Sequence, residues 1–323
     1  MKPIVICLTP VRNEAWILDA FIRCASRWAD LIIIADQSSR DETREIARRH
    51  PRVRLIGNAS SDFNEPERQK LLIEAAREIP GPRILVALDA DEFLSGNWKE
   101  SPDWARILAA PPGTLFSLRW LNVFPDFSRG SDNTYGLPCI YVDDGRKHRG
   151  LEIHSPRVPM AEGENPIVLN DLRLLHFNFS DPARLASKRR WYFCLERIKF
   201  PEKSLIQIYD KYNYRDFHAQ LPTVPLRTEW LQGLAEAGLT PEAIQKTDQD
   251  GLYWYDREVA AWIEEYGKER FAFLPIWQKG LPWSKAPWST FVRLKQAALF
   301  FLLEHRFNPL ARAGLVVLRW LGV

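Results

Sequence analysis

Two aspartates one residue apart, Asp89 and Asp91, follow the apolar run Arg83-Ile84-Leu85-Val86-Ala87-Leu88. In extended backbone, residues i and i+2 point to the same side. Two hard oxygen ligands on one side suit Mg2+ or Mn2+, which in turn bind phosphate oxygens. A divalent ion at a diphosphate neutralises the charge on a leaving group. The same tripeptide also occurs in solvated turns and helix caps; its place after a buried strand favours the metal. His176, in Leu174-Leu175-His176-Phe177-Asn178-Phe179, is the candidate third ligand, since an imidazole at a strand end can complete such a site. Its alternative is a hydrogen-bonded core histidine. His154 is a second choice. Asp143, Asp144 and Glu152 are the acids that could act as a general base, with Glu152 and Asp144 preferred. Asp143-Asp144 precedes Gly145 and reads equally as a turn.

The elements that must hold these residues follow a regular rhythm. Ile4–Thr9 is a short apolar run, and residues 14–28 carry Ile17, Leu18, Phe21, Ile22 and Ala25 at helical spacing. Leu31-Ile32-Ile33-Ile34-Ala35-Asp36 is continuous enough for a strand buried on both faces. A polar turn, a helix over residues 44–49, a strand at Val53–Ile56, a helix over 65–78 and the strand at 83–88 complete the series. This alternation predicts an α/β fold with a mostly parallel sheet flanked by helices. Such sheets bind ligands at the carboxyl ends of their strands. The loops Thr9–Glu14, Asp36–Thr43 and Asp89–Glu92 should therefore share one edge. Further strands are expected at 114–121, 138–142 and 171–179, and helices at 182–198 and through 228–270. A linker near residue 222 divides a domain of residues 1–221 from a helical extension of residues 222–323.

Composition bounds the rest. The 323 residues are 46% hydrophobic and 26% charged with a net charge of +3, too balanced for a protein that coats nucleic acid. None of the four cysteines forms a CxxC pair, which predicts reduced, buried thiols in a cytoplasmic protein. The N-terminus reads as a strand and not as a signal peptide, and no stretch reaches the ~18 to 20 apolar residues of a membrane span. From Leu281 to Val323 there are six basic residues and one acidic, a net +5, interleaved with apolar runs and tryptophans. That tail suits either peripheral contact with a membrane interface or a helix pair docked on its own core.

Four segments together resemble the family 2 glycosyltransferases of the GT-A fold. Thr9-Pro10-Val11-Arg12-Asn13-Glu14 resembles the family's opening segment. Asp36-Gln37-Ser38-Ser39-Arg40-Asp41-Glu42-Thr43 resembles its second loop. Arg68 lies where the family has a basic helix, and Leu88-Asp89-Ala90-Asp91-Glu92 resembles its DxD strand end. The likeness covers residues 3–95. It implies a GT-A-like sheet, a nucleotide-sugar donor held with Mn2+ or Mg2+ at Asp89 and Asp91, and a nucleotide pocket lined by Pro10 and Glu14. Asp36 would accept from the base, a role its acceptor-only carboxylate suits; Glu14 also reads as a first-turn helix acid. Ser187-Lys188-Arg189-Arg190-Trp191 resembles in part the Q-x-x-R-W motif of processive members, so Lys188 and Arg190 are candidate diphosphate contacts. Ser187 in place of Gln speaks against a processive synthase. The resemblance implies a nonprocessive hexosyl transfer with inversion to a cell-envelope glycan or lipid-linked acceptor. A nucleotidyltransferase, which would carry a glycine-rich loop after its first strand, and a non-enzymatic nucleotide- or sugar-binding scaffold are the alternatives.

Overall fold

The computed structural model describes residues 2–58, 64–150, 155–212, 222–244, 252–284, 288–305 and 308–320. Four strands open the chain: β1 (Ile4–Val11), β2 (Leu31–Asp36), β3 (Val53–Gly57) and β4 (Arg83–Ala87). They pair in the order β3-β2-β1-β4, all parallel. Between them run α1 (Leu18–Ala25), α2 (Thr43–Arg48) and α3 (Glu65–Arg77). The continuous apolar strands have a direct cause. Val5 and Cys7 of β1 pack with α1 on one face, while Ile6 and Leu8 pack with Leu72, Ile73 and Ala76 of α3 on the other. Both faces are covered, so the middle of these strands is apolar. α3 starts where Asn64 accepts from the Glu67 N–H (3.2 Å), with Pro66 in its first turn.

The sheet continues through β5 (Glu92–Leu94), β6 (Leu115–Val123), β7 (Arg129–Val142) and β8 (Ile167–His176), with α4 (Pro102–Ala109) after β5. The full order is β3-β2-β1-β4-β7-β6-β8-β5. The first half is parallel, as expected. The second half is mixed: β7 runs antiparallel to β4 and β6, and β5 antiparallel to β8. The chain goes on through α5 (Pro182–Lys199) and α6 (Leu205–Tyr212), then β9 (Thr223–Pro225), which pairs with β7. Then come α7 (Thr228–Leu231), α8 (Pro241–Ile244), α9 (Trp254–Tyr266), α10 (Thr290–Glu304) and α11 (Pro309–Trp320). The fold is thus α/β, with a parallel half-sheet flanked by helices and a helical C-terminal part.

By internal contacts the chain forms two units, residues 1–181 with 221–246 and residues 182–220 with 247–323. The sequence reading places one boundary at 222; these units are interleaved instead. The first unit holds the sheet. The second is helical and contains a buried ion pair between Arg190 and Asp256. It also buries Glu196, which accepts from Lys203 (2.7 Å) and Tyr212 (2.7 Å). All four cysteines are free and buried, and burial pushes the Cys7 thiol up to about 12. Among the described residues no helix is long and apolar enough to cross a membrane.

Candidate active site

Parallel pairing brings the carboxyl ends of β1, β2 and β4 to one edge. Val11 pairs with Asp36 in register, and the Leu88 N–H donates to Leu8 O (3.0 Å). The first two loops are stitched together by side chains. The Asn13 N–H donates to Ser39 Oγ (2.8 Å) and the Arg40 N–H to Asn13 Oδ1 (2.7 Å). The Glu14 N–H donates to Thr43 Oγ1 (2.8 Å), and the Ala15 N–H to Asp41 Oδ2 (3.1 Å). Asn13 (φ 56°) and Ser38 (φ 53°) both take left-handed backbone here. Such conformations concentrate at functional loops. Asp36 is buried at the end of β2, where it accepts from the Ser39 N–H (3.3 Å) and faces Arg44 Nε (3.4 Å). A cleft of about 360 Å³ opens beside it, lined by Asp36, Arg44, Arg48, Leu55, Ile56 and Gly57 among others. Pro10 is buried within β1, and Glu14 Oε2 accepts from Trp16 Nε1 (2.6 Å).

Asp89–Glu92 forms a tight turn at the same edge: the Glu92 N–H donates to Asp89 O (3.0 Å) and the Asp89 N–H to Glu92 Oε2 (2.9 Å). Glu92 then pairs with His176 in the β5–β8 ladder, and the Phe177 N–H donates to Asp91 O (2.8 Å). These bonds bring His176 Nε2 to 3.5 Å from Asp91 Oδ2. On its other side His176 Nδ1 bonds Asn122 Oδ1 (2.9 Å), and Trp120 lies 4.6 Å from the ring. An amide oxygen only accepts, so Nδ1 carries the proton. In the neutral imidazole the Nε2 lone pair then faces a carboxylate. Two acceptors at this distance call for a cation or a proton between them. One carboxylate and one imidazole, with the imidazole oriented from behind by Asn122, fit a divalent ion that takes its remaining ligands from water and phosphate.

Asp89 differs from the expectation. Its Oδ2 lies 2.7 Å from Arg157 Nη2. The same guanidinium grips both oxygens of the fully buried Glu92, with Nη2 2.9 Å from Oε1. Asp89 therefore shares one guanidinium with Glu92, a single cation for two carboxylates. Among the described residues no group of three or more His, Cys, Asp or Glu could hold a metal; Asp91 and His176 form a pair, not a triad. Burial pushes the Glu92 carboxyl up while Arg157 pulls it back. Although burial works against its charge, Asp89 and Glu92 hold Arg157 firmly protonated. Glu65, in the first turn of α3, accepts from the Ser155 N–H (2.7 Å). Burial raises its carboxyl, opposed by Arg68, and Asp89 raises it further.

Other expected residues lie elsewhere. Asp143 and Asp144 follow β7, whose direction carries them to the start of β4: the Asp143 N–H donates to Arg83 O (3.1 Å). Six residues of strand separate Arg83 from Asp89, roughly 20 Å at ~3.3 Å per residue. Asp144 is also occupied. Burial opposes its charge, but Arg146 and the Tyr141 hydroxyl hold it down to about 2. It is not the general base of this edge. Arg190 is correspondingly not a diphosphate contact: it binds Asp256 with Nε at 2.8 Å and Nη2 at 3.0 Å, and Gln278 Oε1 at 3.1 Å. Lys188, half-buried, lies on the same helix α5 in the second unit. Glu152 and His154 lie outside the described residues. Arg157, Asn122 and Glu65 carry no sequence motif; only Glu92, adjacent to Asp91, stood in a recognisable segment.

No family model and no curated protein matches the chain. Among solved structures it is similar to glucosyl-3-phosphoglycerate synthase from Mycobacterium tuberculosis in complex with Mn2+, uridine diphosphate and phosphoglyceric acid. That likeness has 17% identity over 36% of this chain and 43% of the other, with a TM-score of 0.29. S. aureus TarS 1-349 is similar at 15% identity over 96% of this chain and 87% of the other, with a TM-score of 0.39. A nucleotidyl transferase from Methanothermobacter is similar at 17% identity over 36% and 62%, with a TM-score of 0.26. The chain spans about two fifths of the length of the mycobacterial structures it matches, 41% and 43%. Likeness at this level carries no functional argument, so the function rests on the geometry of the chain's own residues.

Proposed function

We propose that this protein transfers a sugar from a nucleotide-linked donor, UDP-linked by preference, to a glycan or lipid-linked acceptor. The transfer is nonprocessive, uses a divalent ion (Mn2+ or Mg2+) and inverts the anomeric centre. The supporting observation is the meeting of Asp91 and His176 at the strand edge that also carries Asp36 and its cleft. In this reading Asp36 accepts from a base N–H, and the stitched loops after β1 and β2 hold the nucleoside rigid. Asp91 and His176 would hold the ion, which supplies charge neutralisation to the departing diphosphate. Arg157 keeps Asp89 and Glu92 ordered beside them. Glu152 is the proposed base that takes the acceptor hydroxyl proton.

A panel of nucleotide sugars, assayed for nucleoside diphosphate release with Mn2+ and with EDTA, tests the proposal. Turnover should need the metal and fall at least a hundredfold in Asp91→Ala and His176→Ala. Turnover indifferent to EDTA and to both substitutions would sink it. Pyrophosphate in place of nucleoside diphosphate would identify a nucleotidyltransferase. UDP binding unaffected by Mn2+, without turnover, would identify a scaffold.

A further inference from the structure

The last two helices carry apolar surface that the fold does not use. Among the described residues, six of the eight large apolar side chains that stand out into solvent lie on α10 and α11: Phe291, Leu294, Phe301, Leu310, Val316 and Val317, 58% to 82% exposed. They are not a displaced core. The hairpin has its own inner seam of Leu299, Leu303, Leu315 and Leu318, all buried together. Gln296 anchors α10 by donating to Ala272 O. The helices approach closely at Gly314, where a side-chain carbon would lie 2.9 Å from Leu302.

The outer residues are ordered. Phe291, Leu294, Ala298 and Phe301 recur at i, i+3, i+7 and i+10, and Leu310, Ala313 and Val317 at i, i+3 and i+7, one stripe along each helix. At 100° per residue each stripe centre lies about 60–70° around its helix from the Leu302–Gly314 contact. In an antiparallel pair these offsets put both stripes on the same side of the hairpin. Arg293 and Arg312 are exposed beside the stripes, and Lys295 Nζ lies 4.8 Å from the centre of the Phe291 ring. The segment from Leu281 onward has a net charge of +5.

We propose that this hairpin is the protein's docking surface for an anionic lipid bilayer, with the aromatic and aliphatic stripes entering the interface and the arginines and lysines meeting lipid headgroups. Charge selects this occupant. A second copy would set one basic segment against another, whereas an anionic lipid surface attracts each cation. The inference stands independently of the reaction proposed above.

Co-sedimentation of the full chain with phosphatidylcholine vesicles, with and without 30 mol% phosphatidylglycerol, tests it. Binding should be at least tenfold stronger to the anionic vesicles and fall with salt. Phe291→Asp with Phe301→Asp should reduce it at least tenfold. Arg293→Glu with Arg312→Glu should abolish the preference for anionic lipid. All four positions are exposed, so thermal melting should be unchanged and shows that the variants fold. Three results would overturn the proposal: no sedimentation with anionic vesicles, equal binding of the wild type and the stripe variant, or a wild-type dimer that the stripe substitutions turn into a monomer.

Discussion

Replacing Arg157 by methionine removes the cation between Asp89 and Glu92 while keeping most of its apolar stem. Glu92 is fully buried, and Arg157 is 13% exposed. Breaking such a pair by deleting one partner costs about 3–5 kcal/mol, because the other charge is left buried alone. For a unit of about 200 residues each kcal/mol moves the melting temperature by ~2–4 °C, so the variant should melt roughly 10 °C lower in EDTA. Burial already pushes the Glu92 carboxyl up, and without Arg157 it rises further above its unfolded value of about 4.3. A raised carboxyl loses stability as pH climbs through its folded pKa, so the deficit should be small near pH 5 and widen towards pH 8. Combining Arg157→Met with Glu92→Gln removes both charges and should recover most of the loss. The assay is melting in EDTA across that pH range. A single variant that melts with the wild type, or a double variant no better than the single, would refute the counter-ion argument.

Asn122→Leu leaves His176 without its orienting acceptor and should weaken Mn2+ binding in the presence of UDP about 10–100-fold, read by electron paramagnetic resonance; unchanged affinity would remove Asn122 from the site. Asp36→Asn replaces an acceptor carboxylate with an amide and should weaken UDP about tenfold by calorimetry, with adenine nucleotides less affected. Asp144 is held at about 2, below its unfolded ~3.9. Its stabilisation is therefore present above about pH 4 and is lost as pH falls from ~4 to ~2. Asp144→Asn should thus lower the melting temperature at pH 7, differ little from the wild type at pH 2, and leave donor turnover unchanged, the last point being what separates this residue from a general base.

The parallel half of the sheet could be read from sequence because burial on both faces leaves an unbroken apolar record. Ile4–Leu8 serves two cores at once, and β2 and β4 do the same. Parallel direction then fixes the edge at which Asp36, Asp89 and Asp91 emerge. The pairing that completes the site left no such record. β5 is three residues long and its strand partner is β8. Arg157 reaches Glu92 across 65 residues of sequence. Arg190 shows the same limit: a cation on a helix looks alike whether it serves a ligand or a partner such as Asp256, 66 residues away.

Asp144 shows how one strand direction decides a functional assignment. A mostly parallel sheet sends every strand's carboxyl end to the ligand edge, so acids after a late strand become candidate bases. β7 runs antiparallel to β4, with Val142 opposite Ile84, and this delivers its end to the far edge. There Asp143 closes against Arg77 (2.7 Å) and Arg83 (2.9 Å), and Asp144 against Arg146 (2.9 Å). Acids at an edge without a ligand are buried or half-buried charges that need protein cations, and the three arginines supply them. At the other edge Asp89 and Glu92 share one arginine, while Asp91 faces an imidazole that leaves the gap for a cation or a proton. The two edges thus settle their acids with different partners, and the pair Asp91 and His176 is where the cation of the proposed reaction would sit.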